Sequence, residues 1–213
     1  MELYNSLIND ARAQLEGLSA KVWDYSPADC WAHVGSSELV DKDQVILYGP
    51  DMGQIKGDCD FARIVLLRVG VLDDDDEAVY RTLKDIEFAK YHVYPEGYMV
   101  RMSPESSREQ VRVSKKALGK GISFRSIGAS YVAEYKKDAN VLNATVIFIT
   151  DPKADYAALQ AAAKKASAVT GTLTHILEGL PTDCSICALK DICDEVEGMK
   201  ELHFGVGDKS AKH

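Results

Sequence analysis

The chain has 213 residues, 46% of them apolar, and a net charge of −8. That is enough apolar material for one packed core with short appendages at both ends. The acidic balance excludes nonspecific attraction to nucleic acid or anionic lipid, because phosphate contacts need clustered Lys and Arg, and no run approaches the roughly 20 apolar residues of a membrane span.

Met1-Glu2-Leu3-Tyr4-Asn5 has neither a basic nor an apolar leader, which points to a cytoplasmic protein. Leu3, Leu7, Ile8, Ala11, Leu15 and Leu18 recur at helical spacing and predict a first helix, ended between Gly17 and Ser19. Residues 20–43 have little period and read as an irregular segment that packs Trp23, Tyr25 and Trp31 against the body. Val45-Ile46-Leu47-Tyr48 is a short apolar strand stopped by Gly49-Pro50-Asp51. Phe61 to Val71 reads as a longer buried strand, bounded by Gly70 and by Asp73-Asp74-Asp75-Asp76. That acidic run suits a helix N-terminus and lacks the turn glycine and distal Glu of a calcium-binding loop. A helix follows over 77–91, with Val79, Leu83, Ile86 and Ala89 or Lys90 inward.

Pro95-Glu96-Gly97 turns the chain into a strand, Tyr98 to Met102. Ser103 as an N-cap and Pro104 at the first helical position predict a helix reaching Leu118. Another helix is expected over 127–136, and a strong strand over Asn143 to Thr150. The alanine-rich stretch from Ala154 to Val169 is a helix, and Thr172 to Glu178 a further short one. The predicted class is α/β (α+β): a small mixed sheet of about four strands flanked by helices, with an N-terminal helix and a C-terminal Cys-rich segment. Three regions follow: 1–43, the helix and aromatic segment; 44–180, the α/β core; 181–213, the Cys-rich segment and polar tail.

Five cysteines, Cys30, Cys59, Cys184, Cys187 and Cys193, make an odd set that does not read as a disulfide framework. Cys184 and Cys187 form a C-x2-C pair, Cys193 follows after five residues and His203 after nine more. Two thiolates on one tight turn can grip one metal, and a third sulfur with an imidazole completes four-coordination by zinc or an iron–sulfur cluster. The bland alternative is three reduced thiols in an apolar cap. His175, Cys30, Cys59 or a carboxylate could replace His203. The acidic stretch from Asp194 to Glu201 would repel an anionic partner and could receive a basic protein. Arg101, Lys115, Lys116, Lys120 and Arg125 are candidates for an anionic ligand, read first as ordinary surface charges. No phosphate loop, dinucleotide fingerprint or nucleophile elbow occurs.

From Val45 to Gly205 the chain resembles the middle domain of acetyl-CoA synthase, the β subunit of the carbon monoxide dehydrogenase/acetyl-CoA synthase complex. The likeness rests on the order and spacing of Val45-Ile46-Leu47-Tyr48-Gly49-Pro50-Asp51, Ala62-Arg63-Ile64-Val65, Asp85-Ile86-Glu87, Val100-Arg101-Met102-Ser103 and Ala144 through Asp151, followed by the C-x2-C pair. The resemblance implies a 4Fe-4S cluster on Cys184, Cys187 and Cys193, with Cys193 earlier than the family pattern and His203 where the fourth cysteine stands. Zinc is the alternative occupant. The family's nickel-chelating Cys-Gly-Cys occurs nowhere in these residues, so nickel and catalysis by this chain alone are not implied. Met99 stands where the family has a tryptophan, which weakens an implied CoA contact. The implied role is an accessory module of anaerobic one-carbon metabolism. Its implied partner is a corrinoid protein, a methyltransferase or a dehydrogenase subunit.

Overall fold

Alternation with period two puts the side chains of one strand on opposite faces of a sheet, so a strand apolar at every position must be covered on both sides. Val45-Ile46-Leu47-Tyr48 is of that kind, Ala144 through Ile149 departs from it only at Thr145, and both are fully buried. The computed structural model describes residues 2–24, 41–55, 59–70, 76–93, 95–102 and 109–178. Their elements are α1 (Glu2–Leu15), β1 (Ala20–Asp24), β2 (Gln44–Tyr48), a 3-10 turn at Met52–Gln54, β3 (Cys59–Val69), α2 (Asp76–Tyr91), β4 (Tyr98–Met102), β5 (Glu109–Val113), α3 (Lys115–Gly119), α4 (Phe124–Tyr135), β6 (Val141–Ile149) and α5 (Tyr156–Leu177).

The sheet runs β1-β2-β6-β3-β5-β4. Among the described strands only β2 and β6 pair in parallel, with Val45 opposite Val146 and Leu47 opposite Phe148. Every other pairing is antiparallel. Two cores lie on the two faces. Val45, Leu47, Phe61, Val146 and Phe148 pack under Phe124, Ile127 and Tyr131 of α4 and Ala89 of α2. Ile46, Tyr48, Ile147 and Ile149 pack under Leu15 of α1 and Leu159 of α5. The result is a three-layer α/β/α sandwich. Arg63 ties two helices to the sheet: its guanidinium lies 4.5 Å from the Tyr131 ring centre, hydrogen-bonds the Tyr131 hydroxyl and donates to the Lys90 carbonyl at 3.2 Å.

The four expected strands are all present, and two more extend the sheet. Residues 20–24, read as irregular, form β1 because Val22 and Trp23 find partners in Ile46 and Val45. The expected helix over 103–118 is corrected. Residues 109–113 form β5, because Val111 and Val113 alternate with Gln110 and Arg112 and pair with β4, while β3 pairs along Val111, Gln110 and Glu109. Ser103 and Pro104 lie outside the described residues. The helix that follows is the short α3, capped by Ser114, whose oxygen accepts from Ala117 N at 3.1 Å. The expected break before Thr172 is absent: α5 runs unbroken through Gly171, where a Cβ would meet nothing within 4 Å.

Candidate functional site

The carboxyl ends of the parallel strands β2 and β6 meet at one corner, a place where open α/β sheets commonly bind ligands. Here the corner closes on itself. Thr150 N and Asp151 N donate to the Tyr48 carbonyl at 2.8 and 3.1 Å, and the Thr150 hydroxyl donates to the Pro50 carbonyl at 2.7 Å. Asp51 Oδ1 accepts from Met52 N at 2.7 Å and from Phe124 N at 2.9 Å, joining the 3-10 turn to the first turn of α4. Gly49-Pro50-Asp51 and the turn after it thus form a structural clasp. Asp51→Ala removes an acceptor shared by two orphan helix-end donors and is expected to cost about 1–2 kcal/mol. Thermal melting checks this, and an unchanged midpoint would show that water replaces the carboxylate.

Arg101 sits on β4, opposite Gln110 of β5. Of the other candidate cations, Lys120 and Lys116 both reach Glu96, at 3.2 and 3.8 Å, so part of that positive charge is already balanced. Arg125 lies in the first turn of α4 and Lys115 opens α3. Met99 is 51% exposed.

Cys184, Cys187, Cys193 and His203 lie outside the described residues, as does Cys30. Cys59 begins β3, opposite Val111. Among the described residues no three His, Cys, Asp or Glu side chains converge to hold a metal ion. No helix among them is long and apolar enough to cross a membrane.

The last described turn before the cysteines is anchored. Glu178 accepts from Lys84 Nζ at 2.9 Å and from the Tyr80 hydroxyl at 3.2 Å, which fixes the end of α5 to α2. The Lys84 hydrogen bond chiefly holds the Glu178 carboxyl below its ordinary pKa, and the Glu178 hydrogen bond chiefly raises that of Lys84. The tie is therefore present above the ordinary carboxylate range, and is lost as pH falls through the lowered Glu178 value. At the other end it is lost as pH rises through the raised Lys84 value. Under α1 and α5 burial raises the pKa of Tyr48, against the smaller pull of Arg12.

Sequence patterning missed one feature of the described surface. Between α2 and α4 lies a cavity of about 170 Å³, lined in part by Asp85, Phe88, Ala89, Glu134, Tyr135 and Asp138. Phe88 interrupts the polar side of α2 as a single residue, and only that isolation marked it.

The model of the CO dehydrogenase/acetyl-CoA synthase complex beta subunit family matches residues 24–154. No curated protein and no solved structure matches the chain. The matched stretch contains β2 through β6 and helices α2 to α4, and it stops before Cys184. It spans more than half of the chain, which therefore belongs to the CO dehydrogenase/acetyl-CoA synthase complex beta subunit family.

Proposed function

We propose that the chain is an acetyl-CoA-synthase-like accessory module of anaerobic one-carbon metabolism. It holds a 4Fe-4S cluster or another metal on Cys184, Cys187, Cys193 and His203, and it docks a corrinoid protein, a methyltransferase or a dehydrogenase subunit. The family match over residues 24–154 carries the reading, and the cysteine spacing supports its metal half. The donor set fits such a group by type and number: three soft thiolates and one imidazole within twenty residues. A bound cluster supplies an electron-transfer centre. The chain's own part is positioning, since the Tyr80–Lys84–Glu178 tie fixes the end of α5, the last described element before the cysteines in sequence. No Cys-Gly-Cys occurs in these residues, so the proposal assigns no acetyl synthesis to this chain alone. A methyl- or acyl-transferring role would need another chain to complete the site.

His203 favours a second reading, a zinc-stabilised binding protein, because three Cys and one His form a structural zinc set. Anaerobic purification with iron, nickel and zinc quantitation separates the two. Cys187→Ala is expected to lower bound metal by about half or more, because removing one of four ligands weakens the site. Unchanged metal content in the variant would contradict the assignment.

A further inference from the structure

We propose that the groove between α2 and α4, with Phe88 on its rim, docks a partner-protein segment that presents an apolar side chain beside Lys or Arg. Phe88 is 55% exposed, whereas Phe61, Phe124 and Phe148 are almost wholly buried. Its ring is held in place: it stacks on His92 one turn later, with centroids 3.7 Å apart and planes 4° from parallel. His92 Nδ1 also lies 2.7 Å from the Phe88 carbonyl oxygen. A rigid exposed aromatic loses little freedom on binding and makes a good anchor. Beside it, the cavity of about 170 Å³ is floored by the buried Ala89 and Tyr135. The hollow opens to solvent, and its volume leaves room for about one apolar side chain among the charges at its rim.

Charge at the rim selects the partner. Asp85, Glu134 and Asp138 line the cavity with a single cation, Lys137, whose ammonium lies 2.6 Å from Glu134. The remaining negative charge complements a basic residue. A second copy of this chain brings a net charge of −8 and is repelled. The inference rests on the docking half of the proposed function and is independent of its metal half.

The test is a titration of the full isotopically labelled chain with the peptide acetyl-Lys-Leu-Phe-Arg-Lys-amide, followed by amide resonances. Shifts are expected at residues 85–92 and 134–138, and weaker binding at high salt. Phe88→Ser is expected to weaken binding about ten-fold without changing the melting temperature. The acidic analogue acetyl-Glu-Leu-Phe-Glu-Glu-amide is expected not to bind. The proposal is overturned by an absence of shifts at millimolar peptide, by shifts elsewhere, by equal binding of the acidic peptide or by full binding to the variant. A dimer in sedimentation that Phe88→Ser dissolves would give the face to a second copy and also overturn it. Metal content in Cys187→Ala reports on the other half, so the two readings can fail separately.

Discussion

Phe148→Ala is expected to lower the free energy of unfolding by about 3–5 kcal/mol. Phe148 lies on β6, which has β2 on one side and β3 on the other, and none of its surface reaches solvent. Its ring meets Phe124 at 4.8 Å, Phe61 at 6.2 Å and Tyr131 at 6.5 Å between centroids. Those rings come from α4 and β3, whose backbones are held by the sheet and by the Asp51 clasp. The hole left by truncation therefore has little room to collapse, and cost rises with the volume that stays empty. Domains of this size are stable by about 5–15 kcal/mol, so the variant forfeits a large share of the total. Urea unfolding followed by circular dichroism measures it. A loss below about 1 kcal/mol would show that the three rings close over the gap.

Gly49→Ala is the second large loss, about 2–4 kcal/mol, from left-handed strain plus overpacking. Gly49 has φ +107°, and a Cβ there would lie 2.4 Å from Asp151 N and 2.8 Å from the Thr150 carbonyl carbon. Both obstacles are main chain. They are pinned by the hydrogen bonds from Thr150 N and Asp151 N to the Tyr48 carbonyl, so neither wall can retreat. Gly171 is the matched control. It lies inside α5 with open space around its Cα, and Gly171→Ala is expected to stabilise by up to about 1 kcal/mol. The two melts should move in opposite directions. Equal shifts would mean that the corner at Gly49 is not closed.

Local pattern carried the interior strands and the long helices into view. It failed where the contrast between faces is low. β1 is half-buried at nearly every position, so Ala20 to Asp24 show no clean alternation. β5 is five residues long, and only Val111 and Val113 stand out; pairing with two distant strands makes it a strand. The Ser-Pro signal before it pointed the other way. On α2 the pattern set Leu83 inward, yet Thr82 is the more buried, because its hydroxyl accepts from Asn140 Nδ2 at 3.0 Å. The two helices expected over 154–169 and 172–178 are one, because an alanine-rich helix can absorb Gly171 for about 1 kcal/mol. The proposed metal ligands are read from residue type and spacing alone, since Cys184, Cys187, Cys193 and His203 lie outside the described residues. The Phe88 groove was not legible in the sequence, because it forms only when two helices far apart in sequence lie side by side.

The parallel pair at the sheet's centre also sets the timetable of folding. Gln44 and Thr145 share a buried side-chain hydrogen bond across 101 positions, so β6 is synthesised long after the strand it pairs with in parallel. Contacts of such long separation make folding slow. Until Ile149 has emerged from the ribosome, Val45 to Leu47 and Ile64 to Leu67 lack the strand that lies between them. Until then the apolar edges of β2 and β3 have no β6 to pair with, and unpaired strand edges of this kind are prone to aggregate.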